Sequence, residues 1–144
     1  MKLDYLHFSP DQPLPQVESR PHRAILIAES PVSQAWRDEV AAWLVQVGCL
    51  YFIAWGTDCE AWHDAVDWAV LQRFHFGEIP DDKFVMTTWH DEEPLSEALW
   101  FAGHCASHSE FELTETVIVH VSSHERRAEL LALYRDSQHA ENET

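Results

Sequence analysis

The sequence is poor in glycine and in positive charge, and each shortage argues against a class of protein. Four glycines are spread over 144 residues and form no Gly-rich loop after an apolar run, so nucleotide-dependent phosphate chemistry is not expected. Nine Lys and Arg stand against 25 Asp and Glu, which gives a formal net charge of −16 at pH 7. Such a chain repels nucleic-acid phosphates and anionic membranes, so neither nucleic acid nor a membrane is an expected partner.

Cysteine is also scarce, and no long apolar run is present. Cys49, Cys59 and Cys105 are odd in number and form no CxxC pair, which favours reduced thiols and a cytoplasmic protein. No apolar run approaches the ~20 residues of a membrane span, and no signal-peptide pattern opens the chain. The GxSxG and HExxH motifs are absent too. With 46% hydrophobic residues and seven Trp, the composition predicts one globular domain.

Between its two ends the chain repeats one plan, an apolar run followed by a helical pattern. Residues 1–21 hold four prolines and predict an extended arm, and 137–144 predict a disordered tail. The domain at 22–136 has four such units, with the apolar runs "RAILIAES" (23–30), "CLYFIAW" (49–55), "KFVMTTW" (83–89) and "ETVIVHVS" (115–122). This alternation predicts an α/β fold, a small Rossmann-like or flavodoxin-like α/β/α sandwich around a four-stranded, mostly parallel sheet. We expect the strand order 2-1-3-4.

Polar side chains follow each predicted strand, where open α/β sheets bind their ligands. His90 and Asp91 follow the third strand, Asp58 follows the second and His124 follows the fourth. A histidine that titrates near neutrality, beside a carboxylate that orients it, suits acid/base work or metal binding. These four residues are therefore the candidate catalytic set of a small hydrolase. A metal would be held by His90, His124 and Glu29, although no metal or other cofactor is predicted.

The same positions also have an ordinary structural interpretation. Thr57 with Glu60, and Ser122 with Glu125, have the spacing of capping boxes, in which side chains satisfy the free N–H groups at a helix start. Cys59, in the first turn of the second helix, is either a nucleophile activated by the helix dipole or a small packed side chain. The neighbouring carboxylates oppose activation, so packing is favoured.

The second predicted helix carries acidic and aromatic side chains on more than one side. A helix that is apolar on two sides must be covered twice, by the sheet and by something else. We expect it to present a contact surface to a basic protein, formed by Asp58, Glu60, Trp62, His63, Asp64, Asp67 and Trp68. The apolar side chains of Trp68, Leu71 and Trp100 exceed what one sheet can cover, which predicts a homodimer as well.

Two segments, "GCLYFIAWGTDCEAWHDAVD" and "VMTTWHDEEPLSEALWFA", resemble those of an uncharacterised bacterial family of small acidic α/β proteins, classed as a domain of unknown function. The resemblance covers most of residues 20–135 and implies no activity, so no functional residue follows from it. The stretch "WGTDCEAWHDAVDW" is also similar to the helix with which the nuclease inhibitor barstar plugs a basic active site. Barstar has fewer strands in another order, so this second likeness is one of analogy.

Two functional hypotheses follow. The first is a non-catalytic acidic interaction module, an immunity, inhibitor or regulatory partner of a basic protein, which the net charge and the acidic, aromatic helix favour. The alternative is a small metal-assisted or acid/base hydrolase with its site at the carboxyl edge of the sheet. The first requires an accessible acidic and aromatic surface, whereas the second requires that His90 and His124 lie together.

Overall fold

The computed structural model describes residues 2–139, in which five parallel strands form one sheet with two helices on each face. The strands are β1 (Lys2–Phe8), β2 (His22–Ala28), β3 (Cys49–Gly56), β4 (Met86–His90) and β5 (Glu115–Val121). The helices are α1 (Gln34–Gln46), α2 (Cys59–Arg73), α3 (Leu95–His104) and α4 (Arg127–His139). The predicted α/β class is confirmed.

The central strand β2 explains why the sheet needs helices on both faces. All of its residues are buried, and they alternate between two separate hydrophobic clusters. Leu26 lies in the cluster formed with α1 and α2, whereas Ile25 and Ile27 lie in the cluster formed with α3 and α4. Burial stabilises the fold by about 25 cal/mol for each Å² of apolar surface removed from water, so both faces of such a strand are covered.

The strand order is β1-β5-β2-β3-β4, so the predicted number and order of strands are both wrong. The chain adds β3 and β4 on one side of β2 and then returns to place β5 on the other side. The four predicted strands correspond to β2, β3, β4 and β5. Numbered 1 to 4 in chain order, they lie in the sheet in the order 4-1-2-3. Apolar runs alone do not specify this order, because β3 and β5 are both apolar enough to pair with β2 on either side.

The fifth strand is Lys2–Phe8, the first part of the expected arm. It pairs in parallel with β5 along its whole length, from Lys2 beside Glu115 to Phe8 beside Val121. Its buried residues, Tyr5 and Phe8, are three apart and face opposite sides of the sheet. That spacing differs from the two-residue period of a half-buried strand, so the apolar pattern of residues 2–8 does not indicate a strand.

The rest of the arm, residues 9–21, contains neither helix nor strand and crosses the face of the sheet that α1 covers. Two indoles of α1 hold it in place. Trp36 donates from Nε1 to the carbonyl of Gln12 (3.0 Å), and Trp43 donates to the carbonyl of Pro15 (2.8 Å). The tryptophans of α1 therefore fix this segment to the domain.

Two helices begin later than the capping patterns predict. Asp58 rather than Thr57 precedes α2, its backbone is left-handed (φ 56°), and its side chain makes no capping bond. α4 begins at Arg127 rather than directly after Ser122, whose hydroxyl donates to the carbonyl of His124 (2.5 Å). Both predicted capping boxes are wrong, because extra turn residues separate each strand from its helix.

The described chain ends in a helix. Residues 137–139, which the sequence assigns to a disordered tail, form the last residues of α4, and 140–144 lie outside the described residues. Among residues 2–139, no helix combines the length and the apolar character that crossing a bilayer requires.

Gly56, at the end of β3, occupies a position that no side chain fits. Its φ is +102°, and a Cβ there would lie 2.1 Å from the carbonyl oxygen of Ala28. We predict that Gly56→Ala lowers the free energy of unfolding by about 2 kcal/mol or more, because the new methyl collides with backbone and the positive φ is strained. Urea unfolding followed by circular dichroism measures this loss.

The matched control for this change is Gly77→Ala. Gly77 has no positive φ, and a Cβ there would meet only the carbonyl oxygen of Phe74, at 3.3 Å. An equal loss of stability in the two variants would contradict the argument.

Candidate functional site

The carboxyl ends of the five parallel strands lie at one edge of the sheet, as the sequence predicts, but the strand order divides that edge. His90 is the last residue of β4, at one side of the sheet, and His124 follows β5. Because β2 and β3 lie between β4 and β5, the axes of β4 and β5 are three strand spacings of about 4.8 Å apart, or about 14 Å. This strand order argues against His90 and His124 as members of one catalytic set.

At the β4 end, the imidazole of His90 is held by its own neighbours. Its Nδ1 is hydrogen-bonded to the carboxylate of Glu93, and the hydroxyl of Thr88 lies 3.1 Å from Nε2. The ring packs on Phe101, with 4.8 Å between ring centroids. The indole of Trp55 donates to the Glu93 carbonyl (2.8 Å) and so fixes the turn that carries this carboxylate. Both nitrogens of His90 are thus engaged within the protein.

Asp58, Asp91 and Cys59 lie at the same end of the sheet. Both aspartates are exposed, whereas Cys59 is buried at the first residue of α2. Burial raises the pKa of the Cys59 thiol, and the negative charge of Asp91 raises it further. A buried thiol that stays protonated at neutral pH is a poor nucleophile. The structure therefore supports the packing interpretation of Cys59.

We predict that iodoacetamide labels Cys105 first. Cys105 is exposed, whereas Cys49 and Cys59 are buried, and burial raises the pKa of Cys49 to about 12. In the native protein Cys105 should react about 100-fold faster than either buried thiol, and in denaturant all three rates should converge. Peptide mass spectrometry gives the three rates. Labelling of Cys59 as fast as Cys105 in the native state would revive the nucleophile hypothesis.

A network of hydrogen bonds lies at the other part of the edge, where the strand order reverses between β5 and β2. The Tyr5 hydroxyl is 2.6 Å from Nδ1 of His120, and Nε2 of His120 is 2.5 Å from the carboxylate of Glu29. The guanidinium of Arg126 donates to both oxygens of that carboxylate (3.2 and 2.9 Å). The backbone N–H of Arg126 donates to the Tyr5 oxygen (3.0 Å), which closes the network into a ring.

The donors in this ring fix the protonation of His120. The Tyr5 oxygen accepts from the Arg126 backbone, so its own hydroxyl proton is free to be donated to Nδ1. The carboxylate of Glu29 is an acceptor only, so Nε2 of His120 carries the proton between them. The imidazole is fully buried, and burial lowers its pKa despite the opposing effect of Glu29. A neutral His120 protonated at Nε2 satisfies every group of the ring.

This network fills the position at which open α/β sheets bind their ligands. The Glu29 carboxylate accepts three hydrogen bonds from within the protein, and the His120 side chain has no exposed surface. The network therefore joins β1, β5, β2 and the turn before α4, and it engages both ring nitrogens of His120 and both oxygens of Glu29. His120 is thus a hydrogen-bonded residue of the core. Tyr5 was missed because it lies in the segment interpreted as an arm.

We predict that the protein loses stability as the pH falls below about 6.5. Burial lowers the pKa of both His120 and His22 in the folded state, so the unfolded chain takes up these protons first. The free energy of unfolding should be highest above the unfolded-state pKa of about 6.5 and should decrease below it. Chemical denaturation at pH 8, 7, 6 and 5 measures the trend.

Replacement of one of the two histidines isolates its share of this effect. His120→Gln replaces the imidazole by a hydrogen-bonding amide that cannot titrate, so the stability of this variant should be lower at pH 8 and should decrease less steeply below pH 7. An unchanged pH dependence in this variant would show that His120 is not responsible.

The residues expected to form a contact surface on α2 do not all reach solvent. Asp58, Glu60, Asp64 and Trp68 are exposed, and His63 and Asp67 are partly buried. Trp62 is 1% exposed and packs edge-on against Trp36, with 6.2 Å between ring centroids, so it belongs to the core instead. Trp62 and Trp68, six residues apart at about 100° each, lie about 120° apart around the helix axis, so Trp62 faces the core while Trp68 faces solvent.

His63 and Asp67 connect α2 to β4. The ring of His63 lies 4.6 Å from that of Trp89, and Asp67 accepts a hydrogen bond from the Thr87 hydroxyl (2.6 Å). His63 is also paired with Asp64 (2.9 Å) and with Asp67 (3.5 Å). Asp64 and Asp67, which we call the acidic row of α2, are therefore held beside the edge strand β4.

Exposed apolar side chains lie on both sides of this row. Trp68 is 53% exposed and its ring contacts that of Phe76, itself 58% exposed, in the turn after α2. On β4, Met86 and Trp89 are 40% and 42% exposed. We call this group the edge surface, and its members are Trp68, Leu71, Phe76, Phe84, Met86 and Trp89. The sequence indicated Trp68 and Leu71, but the apolar run at 83–89 predicts only a strand and not its place at an edge, so Met86 and Trp89 were missed.

Nothing in residues 2–139 has the arrangement of a metal site made of three or more His, Cys, Asp or Glu side chains. Of the three residues named as possible ligands, Glu29 is bound to His120 and Arg126, and His90 is bound to Glu93. His124, on an exposed turn, is hydrogen-bonded to the neighbouring Ser123 (2.7 Å).

Comparison with known families gives one match. A family described as "Domain of unknown function (DUF7684)" matches residues 3–137, which includes most of β1 and most of α4. The resemblance to a domain of unknown function is thereby confirmed, and it extends further toward the amino terminus than residues 20–135. No curated protein and no solved structure matches the chain.

Proposed function

Since the chain belongs to this family of unknown function, we propose from its surface that it is a non-catalytic acidic interaction module, an immunity, inhibitor or regulatory partner of a basic protein. The observation that carries this proposal is the edge surface: Trp68 and Phe76 reach solvent beside the carboxylates of α2, and Phe84, Met86 and Trp89 reach solvent along the neighbouring edge strand. Exposed large apolar side chains that lie together mark contact surfaces more often than singly scattered ones do.

The composition of the edge surface resembles that of binding hot spots. Truncation of aromatic anchors, tryptophan above all, has the largest effect on affinity at interfaces, and a polar rim excludes water from them. Trp68 and Trp89 are the two exposed indoles here, and Asp64 and Asp67 lie between them. Aromatic anchors surrounded by carboxylates suit a partner surface that is apolar at its centre and basic at its rim.

The net charge supports the same kind of partner. At −16 the chain attracts basic proteins over distances of about 8 Å at physiological salt and repels other acidic ones. Three unpaired cysteines fit a reducing compartment, so the proposal places this contact in the cytoplasm. The competing proposal is that a second copy of this chain covers the edge surface and forms a homodimer.

The hydrolase alternative draws no comparable support from the geometry. Its four residues are split between two parts of the edge, and the crevice at the reversal of strand order is filled by the Tyr5, His120, Glu29 and Arg126 network. We therefore propose no catalytic activity.

We predict that the double variant Trp68→Ser, Trp89→Ser loses the basic partners that the wild type retains. The immobilised full-length chain should retain basic proteins from a cell extract at about 50 mM salt and release them at about 500 mM, because long-range attraction is screened. Each lost anchor should weaken binding by tenfold or more, equivalent to about 1.4 kcal/mol. Quantitative mass spectrometry of the retained proteins is the measurement.

The matched control is the double variant Val17→Ser, Leu133→Ser. Both residues are exposed apolar side chains outside the edge surface. Retention of the same basic proteins by both double variants would count against the edge surface as the contact site. Retention of none by the wild type would count against the interaction module itself.

A further inference from the structure

We propose that β4 receives an extended, basic segment of the partner protein as a sixth strand of the sheet. This inference rests on the proposed function and specifies how that contact is made. Strand addition at a sheet edge provides main-chain hydrogen bonds for affinity and side-chain pockets for specificity. Within residues 2–139, β4 pairs with β3 only, so its outer row of N–H and C=O groups has no strand beside it.

The two edges of the sheet differ in how well they are protected against such pairing. β1, at one edge, carries Lys2 and Asp4, which form an ion pair (3.6 Å) on the strand. β4, at the other edge, reads "MTTWH" and contains no Lys, Asp, Glu or Pro. Charged residues and proline are the usual means by which proteins prevent pairing at an exposed strand. The lack of both on β4 marks it as the edge that is open to another strand.

The side chains of β4 also present a surface that a partner strand can cover. Met86 and Trp89 are each about two-fifths exposed, and Phe84 just before the strand is 45% exposed. Side chains on the added strand would lie beside these residues at the spacing of neighbouring strands, about 4.8 Å. Trp89 is already held on its inner side by His63, so its orientation is fixed before a partner arrives.

Acidic residues flank β4 at both ends. Asp81 and Asp82 precede it in a short 3-10 helix that ends in Lys83, and Asp91 and Glu92 follow it directly. All four carboxylates are exposed. A segment laid along β4 therefore meets negative charge at its beginning and at its end, which selects lysine or arginine at the ends of the partner segment.

The same charges disfavour a second copy of this chain on β4. Two copies that paired edge to edge about a two-fold axis would run antiparallel. The acidic segment before one strand would then lie close to the acidic segment after the other. Like charges at short distance oppose association, and the net charge of −16 on each copy adds to this. The basic segment is therefore the occupant that the charges select.

The probe for this proposal is a nine-residue peptide with two lysines at each end of an alternating valine and threonine core. At about 50 mM salt it should bind the full-length protein, and fluorescence anisotropy of the labelled peptide gives the affinity. Hydrogen exchange should slow at alternate amides of β4, because only the outward-facing N–H groups gain a partner. N-methylation of the amides along one edge of the peptide leaves its other edge able to pair with β4, so the affinity should change by less than about threefold. N-methylation along both edges blocks this pairing and should weaken binding by tenfold or more.

Charge-neutralised variants test the acidic flanks. The double variant Asp81→Asn, Asp82→Asn should weaken peptide binding by about three- to tenfold. The matched control, Asp38→Asn with Glu39→Gln, removes the same amount of charge from an exposed part of α1 and should leave the affinity within about twofold.

Each outcome separates the binding mode from the function. If the peptide binds but hydrogen exchange does not slow at alternate amides of β4, strand addition is wrong, whereas the proposal of an acidic contact surface is unaffected. Absence of peptide binding, while retention of basic proteins still depends on Trp68 and Trp89, overturns strand addition alone. Light scattering that shows a dimer, with β4 amides protected in the protein by itself, overturns the basic segment in favour of a second copy.

Discussion

The position of β2 at the centre of the sheet is the constraint from which the rest of the structure follows. Its residues are buried on both faces, and it pairs with β3 on one side and β5 on the other. Because the chain turns to one side of β2 first and to the other side later, the carboxyl ends of β4 and β5 are separated. The separation of His90 from His124, the free edge at β4 and the network at Glu29 all result from this one arrangement.

The sequence predicts the class of the fold well because apolar runs and helical spacing are local properties. β2 and β3 were each indicated by an apolar run of fewer than ten residues, and they lie where those runs placed them to within two residues. Strand order and the fifth strand were not predicted, because both depend on partners far away in the chain. β1 pairs with β5, more than a hundred residues later, and its buried residues lack a strand period.

The candidate site shows the same division between local and distant information. Trp68 could be assigned to an exposed side of α2 from helix geometry alone, whereas Trp62, six residues earlier, is covered by the packing of Trp36 from α1. His120 could be interpreted as a core histidine because it lies in an apolar strand. Its partners come from β1, from the end of β2 and from the turn before α4, and no local pattern joins them. The exposure of β4 likewise depends on which strand lies beside it.

The pairing of the first strand with the last also has a consequence for synthesis on the ribosome. Tyr5 and His120 are separated by 115 positions, and every hydrogen bond between β1 and β5 spans a similar length of chain. Contacts of such high sequence separation form late, since the loop between them must be closed first. During translation, the segment "KLDYLHF" therefore emerges long before its partner strand exists. The nascent chain must keep it from misassociating until residues 115–121 have left the exit tunnel.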